Sequence, residues 1–275
     1  MPSDRELENE LSTPYNLTED NHLAFRRDGF IRLPNVLSPG AIVCLREELV
    51  RLLSKTFPEN NRSNRFLSLE MMWLESVIIR RYVLSPRIAK ISADLLDVKS
   101  VRLYHDNALS KEPGCGRTPW HYDDHHFPLD TNDVVTAWMP AQPVPLAMGP
   151  LSFAKPINAF KLVKNINFNK NDTSYDKKVS EVFKVNHVAI DSEPFKIGEA
   201  SFHHNLSFHT AEGNNTSQSR IVLANTYFAN GARIVKKPTM VSGDWQKFIP
   251  GVAPGEIAAS KLNPVCWPAN TDHNK

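Results

Sequence analysis

The stretch that decides the fold is Thr118-Pro119-Trp120-His121-Tyr122-Asp123-Asp124-His125-His126-Phe127-Pro128, which sets three imidazoles and two carboxylates within six residues between two prolines. Alternate side chains of an extended strand share a face, so His121 and Asp123 are expected to project together while Tyr122 and Asp124 project the other way. A His-x-Asp pair of this kind shares one metal ion. It is the first half of the two-histidine, one-carboxylate facial triad that holds non-haem Fe(II) and leaves coordination positions open, and it needs a second histidine from a distant strand.

That histidine is found downstream. In Gly198 to Ala211 an apolar run ends at His209, ahead of the polar turn Glu212-Gly213-Asn214-Asn215, and the next strand opens on Arg220, eleven residues on. A sheet that reverses through this turn returns Arg220 to the side of the metal. A buried guanidinium is a two-pronged donor matched to a carboxylate, so Arg220 is the expected anchor of a dicarboxylate such as 2-oxoglutarate. His125 and His126 are expected at the mouth of the site or on the surface, and His203 and His204 as structural residues.

The bulk properties narrow the class. A chain of 275 residues buries one sizeable core, so one domain over 1–275 is expected. With 32 Lys and Arg against 30 Asp and Glu, the formal charge of +2 gives no reason to expect nucleic acid or an anionic membrane as partner. Cys44, Cys115 and Cys266 are too few and too scattered for a disulfide framework. No signal peptide, membrane-length apolar run or peroxisomal C-terminus is evident, and the expected compartment is the cytoplasm. The Asn-x-Ser/Thr sites at Asn16, Asn61 and Asn171 then carry no meaning.

Along the chain, residues 1–17 are expected as a loose arm. Thr18 caps a helix over Glu19 to Arg27, Ser38-Pro39 starts a second, and Ile42, Leu45, Leu49, Leu52 and Leu53 give it an apolar stripe to about Ser54. Phe66 to Tyr82 and Pro86 to Leu96 are expected as two more helices, the latter capped by Ser85. From Ser100 the texture changes to short strands: Val101 to Leu109, on which Leu103, His105 and Asn107 share a face, then the metal strand, Val134 to Met139, Leu151 to Phe153, Val185 to Ile190, Ala200 to His204, Ser207 to His209 and Arg220 to Phe228. The count suits a jelly roll of two antiparallel sheets across residues 100–230, with helices outside. Lys164 to Lys178 shows no apolar period and is expected as a surface excursion, either a solvated loop or a lid.

Several segments together are similar to the phytanoyl-CoA dioxygenase family of Fe(II)/2-oxoglutarate oxygenases: Trp120-His121-Tyr122-Asp123, Thr136-Ala137-Trp138-Met139-Pro140, Met148-Gly149-Pro150-Leu151-Ser152-Phe153, and His209 to Arg220 with Ala229-Asn230-Gly231-Ala232-Arg233. The resemblance implies a mainly β, cupin-like double-stranded β-helix with bracing helices, iron on His121, Asp123 and His209, and 2-oxoglutarate and O2 as co-substrates, with ascorbate as reductant. It implies Asn107, Thr136, Trp138 and Arg220 around the 2-oxoglutarate. One departure is Ala211, where the family often carries a hydroxyl. Expected substrate contacts are Tyr104, His126, Phe127, Met72 and Trp73. A carboxylate at Asp123 disfavours halogenation.

The expected activity is oxidation of a C–H bond in a small molecule, such as a secondary metabolite, by a monomer or homodimer. An acyl-CoA 2-hydroxylase is the alternative in the same class, although no basic cluster for the CoA phosphates is evident. A zinc hydrolase or lyase also uses His, His and carboxylate, but has no need of Arg220 and lacks a His-Glu-x-x-His helix. A non-catalytic 2-oxoglutarate-binding module does not require an intact triad.

Overall fold

The structure, a computed structural model, describes residues 2–167, 173–238 and 244–268. It opens with helices. α1 (Asp4–Ser12) carries a Ser3/Glu6 capping box and buries Leu7 and Leu11 one turn apart, so the expected loose arm is a docked helix. α2 (Glu19–Asp28) is capped by Thr18 and stops at Gly29, whose φ of 79° is the left-handed geometry glycine tolerates. β1 (Phe30–Leu33) and α3 (Pro39–Thr56) follow, the latter capped by Ser38.

The expected helix over 66–82 is instead a strand and a helix. In β2 (Phe66–Glu70) Leu67 is buried between exposed Phe66 and Ser68, an alternation of period two. Met71 then takes φ 62°, which ends regular structure, and a turn at Met72–Leu74 leads to α4 (Val77–Val83), capped by Ser76. α5 (Pro86–Leu96) is capped by Ser85. β3 (Val101–Lys111), β4 (Thr118–His121), β5 (Val134–Pro140) and β6 (Leu151–Lys155) come next, then the short helix α6 (Phe160–Val163).

Of the expected excursion at 164–178, residues 168–172, with Asn171, lie outside the described residues. From Ser174 the chain is helical, as α7 (Ser174–Val185), with Tyr175, Val179 and Phe183 buried at four-residue spacing. The expected strand from Val185 is therefore the end of a helix, and β7 (Ala189–Asp191) starts later. β8 (Ala200–His204), β9 (His209–Ala211), β10 (Arg220–Ala229) and β11 (Val265–Trp267) complete the chain.

The strands form a double-stranded β-helix. The larger sheet runs β1-β8-β5-β10-β3-β11 with β2 also on β3, and the smaller runs β4-β9-β6-β7, with every pairing antiparallel. Helices α3 and α5 cover the outside of the larger sheet, where Leu45, Leu49, Ile88 and Ile91 meet Ala137, Met139 and Leu223. α7 covers the outside of the smaller sheet, seating Phe183 against Trp120 and Phe208. Burial of this apolar surface on both outer faces stabilises the sandwich by roughly 25 cal/mol per Å2. Between the sheets a second apolar cluster, Phe30, Trp138, Phe153 and Phe195, fills one end and leaves a cavity at the other.

Candidate active site

β4 ends at His121, and Asp123 is not on a strand. It has φ −88° and ψ −13° at the start of a tight turn over Asp124–His126. The two still converge because Asn205 holds the turn: its carbonyl accepts from the Asp123 and Asp124 amides at 2.9 and 3.1 Å, and its Nδ2 donates to Asp124 Oδ1 at 2.9 Å. Asp124 is thus turned away from the metal ligands by a turn and a clamp. The pleat expected from spacing plays no part.

His121 faces His209 directly across the β4–β9 ladder, their rings 4.2 Å apart. Each donates its Nδ1–H to the backbone carbonyl two residues earlier, His121 to Pro119 at 2.8 Å and His209 to Ser207 at 2.9 Å. A carbonyl only accepts, so both protons sit on Nδ1 and each Nε2 presents a bare lone pair. Asp123 Oδ1 lies 3.7 Å from His121 Nε2 and 4.0 Å from His209 Nε2. Three acceptors aimed at one point repel one another unless a cation stands between them. The three ligand atoms lie within 4.8 Å of one another, a donor set that suits a hard-to-borderline divalent metal.

Electrostatics keep the ligands in binding form. Burial, followed by the neighbouring His121, lowers His209 to about 3, and burial lowers His121 as well, so both imidazoles are neutral. Burial alone would raise Asp123, yet among His209, His203 and His121 its carboxyl lies well below the usual carboxylate range.

Arg220, on the neighbouring strand β10 of the other sheet, is buried. One terminal nitrogen donates to the Gly149 carbonyl, Nε has no acceptor, and no carboxylate pairs with the guanidinium among the described residues. The plane of Trp138 lies beneath it, 5.3 Å from guanidinium carbon to ring centroid. An unpaired buried cation with a free donor fits the distal carboxylate of 2-oxoglutarate. Thr136 bonds Thr226 through their hydroxyls at 3.0 Å, and Asn107 accepts from Ser68 at 2.8 Å; both side chains line the same cavity. Ala211 also lines it. The adjacent Thr210 hydroxyl is tied to the Thr118 carbonyl and does not replace the missing one.

The cavity holds about 480 Å3 and brings together the triad, Arg220, Trp138, Thr136, Asn107, Tyr104, His126 and Phe127. Met72 and Trp73 are absent from it. Their amides donate to the buried Asp106 and their side chains join the core beneath the helices. Leu103 also departs from expectation: the β3–β10 pairing skips Tyr104, a bulge that sends Leu103 to the helix side and sets Tyr104 and His105 together on the cavity side. His203, expected as a structural residue, lines the cavity too, and residues not singled out from sequence complete the wall, chiefly Phe248 and the ion pair of Lys247 with Glu70 at 2.7 Å. Only an aromatic beside a helical break could have hinted at Phe248; His203 was visible as a second histidine on an apolar strand.

Residues 25–156 match the model described as phytanoyl-CoA dioxygenase. This stretch belongs to the phytanoyl-CoA dioxygenase family. The match takes in His121, Asp123 and Trp138 and ends before His209 and Arg220, which the structure brings to them. The chain is a non-haem Fe(II)/2-oxoglutarate-dependent dioxygenase, with Fe(II), 2-oxoglutarate and O2 as its cofactor and co-substrates. Solved structures extend the likeness over the fold. The alpha ketoglutarate dependent carbocyclase SnoK from nogalamycin biosynthesis superposes with a TM-score of 0.74 at 22% identity, covering 92% of this chain and 99% of that one. The epimerase SnoN, in complex with Fe3+, alpha ketoglutarate and nogalamycin RO, gives 0.71 at 22%, covering 90% and 98%. EctD from S. alaskensis, with 2-oxoglutarate and 5-hydroxyectoine, gives 0.67 at 16%, covering 91% and 92%. No curated protein sequence matches the chain. No helix among the described residues is long and apolar enough to cross a membrane.

Proposed function

We propose that this dioxygenase oxidises a C–H bond of a small molecule bound in the 480 Å3 cavity, with decarboxylation of 2-oxoglutarate to succinate. One observation carries the reading: the lone pairs of His121, Asp123 and His209 and the unpaired guanidinium of Arg220 open onto the same cavity. Iron on the triad, with 2-oxoglutarate and O2, supplies the oxidising power. The chain's own residues bind and aim. Arg220 and Trp138 fix the co-substrate's far end, and the backbone-anchored imidazoles keep the metal face rigid. Tyr104, Phe127 and Phe248 offer an aromatic wall, their rings 4.9 and 5.5 Å apart about Tyr104, against which a ring-bearing or otherwise apolar substrate packs and excludes water.

The small-molecule reading is favoured over an acyl-CoA substrate by Lys247. This cation of the cavity wall is already paired with Glu70, so it offers no free charge to a nucleotide phosphate. Structures similar in fold come from nogalamycin biosynthesis or carry bound 5-hydroxyectoine, which supports a small-molecule metabolite here.

The test is succinate formation and O2 consumption by purified protein with Fe(II) and 2-oxoglutarate across a panel of ring-bearing metabolites, organic acids and acyl-CoAs. Expected is stimulation by a compact metabolite and loss of all succinate in His121→Ala and His209→Ala. Turnover better supported by Zn(II), without succinate, overturns the reading.

A further inference from the structure

The two oxygens of Asp123 face different neighbours. Oδ1 is turned to the Nε2 atoms of His121 and His209, whereas Oδ2 is turned to a third imidazole, His203 on β8, whose Nε2 lies 3.3 Å away. His203 is 3% exposed, its ring centre is 4.8 Å from that of His209 and 5.6 Å from Phe153, and its backbone is paired with Phe30 and Thr136. It is therefore fixed on the larger sheet while the ligand set is carried by the smaller one and its turn.

The proton inventory separates His203 from the ligands. His121 and His209 each commit Nδ1–H to a backbone carbonyl, which bares Nε2 for a metal. His203 Nδ1 is buried and has no partner. A buried N–H without an acceptor is costly, more so than a bare lone pair, and Asp123 Oδ2 waits beside the other nitrogen. The geometry therefore places a proton on Nε2, facing the carboxylate, and leaves that nitrogen no lone pair to give a metal at that point.

Resting on the reading of His121, Asp123 and His209 as the metal site, we propose that His203 is a positioning residue for it: it holds Asp123 Oδ2 through Nε2–H, so that the carboxylate meets the metal through Oδ1 alone. The consequence is chemical. A carboxylate restrained at one oxygen occupies one coordination position where a free one can occupy two, and the position saved stays open for co-substrate. The restraint also crosses between sheets and ties the ligand turn to β8.

The test uses the full chain loaded with Co(II), whose binding is read directly by titration and by its electronic and paramagnetically shifted NMR spectra, without turnover. His203→Phe keeps the ring volume and removes the donor; it is expected to weaken Co(II) binding about 10- to 100-fold and to alter the Co(II) spectrum. His203→Gln, which returns an N–H near the same place, is expected to recover most of that loss, which a packing role does not predict. The wild-type Co(II) form is expected to show two shifted, exchangeable imidazole N–H signals, those of His121 and His209. Three such signals mean that His203 is itself a ligand and overturn the proposal. So does a folded His203→Phe whose affinity and spectrum match wild type, a result that leaves the triad untouched. A wild-type chain that binds no Co(II) overturns the triad reading and this one together.

Discussion

Arg220 is the bulkiest side chain fully buried among the described residues, and its charge is met there by a backbone carbonyl and the Trp138 ring, with no carboxylate. Burial pushes its pKa down to about 10, so it stays charged at neutral pH while lacking a counter-ion. Burying an unpaired charge is among the costlier things a fold does, and on the proposed reading the cost is offset when a dicarboxylate arrives. A charge-assisted pair of this kind contributes about 1.5 to 3 kcal/mol. Arg220→Met is therefore expected to raise the apparent 2-oxoglutarate constant roughly tenfold to a hundredfold, with Co(II) affinity unchanged. An unchanged 2-oxoglutarate constant, measured by initial rates or by titration of the metal-loaded protein, moves the anchor elsewhere. At this scale the sequence was informative: a guanidinium eleven residues past a histidine, across a polar turn, carries its own reason. It placed His203 as a structural residue, because a histidine on an apolar strand is usually packing and only the 3.3 Å approach to Asp123 distinguishes it.

Among the elements, legibility followed the length of the pattern. α3 and α5, each with a serine cap, a proline in the first turn and a sustained apolar stripe, stood in the sequence almost to their ends. Where the pattern was short, a neighbour decided. β2 is a strand because β3 offers it an edge, α1 is a helix because two leucines find the core, and the apolar period of α7 lies mainly beyond Lys178, where the polar stretch ends. Asp123 came to the right place by a different route, a turn clamped by Asn205, since strand alternation cannot foresee where a strand stops. The bulge at Tyr104 has the same character. Beside it, Asp106 accepts from the Met72 and Trp73 amides and so fastens the turn after β2 to β3. Burial raises its pKa to about 7, from an unfolded value near 3.8. A raised carboxyl lends stability that is full below the unfolded value and is lost as pH rises through the folded one. Wild type is thus expected to lose stability relative to Asp106→Asn between about pH 4 and 7, by about 1 kcal/mol or more, since each unit of difference is worth about 1.4 kcal/mol. Urea unfolding of both metal-free proteins across that range measures it, and parallel profiles refute it.

At the scale of the molecule, the site is a joint between two sheets. The proposed metal ligands belong to β4, its following turn and β9, whereas Arg220, Trp138, Thr136, Asn107 and His203 stand on the larger sheet. Metal alone engages one side, and 2-oxoglutarate alone finds only Arg220 and its surroundings on the other. Bound together they are expected to span the gap, so that each strengthens the other, and linkage makes that effect reciprocal. Thermal unfolding with Mn(II), with 2-oxoglutarate and with both, under anaerobic conditions, reads this coupling. A ligand at a hundredfold its dissociation constant stabilises by about 2.7 kcal/mol, which in a chain of this size is a rise of roughly 5 to 10 °C. The expected result is little shift with 2-oxoglutarate alone, a modest one with Mn(II), and a shift with both that exceeds their sum. Arg220→Met should keep the Mn(II) shift and lose the excess, because it removes the larger sheet's hold on the co-substrate while leaving the triad whole. Strictly additive shifts in wild type show that metal and co-substrate bind without coupling, and the joint between the sheets then plays no part in assembling the site.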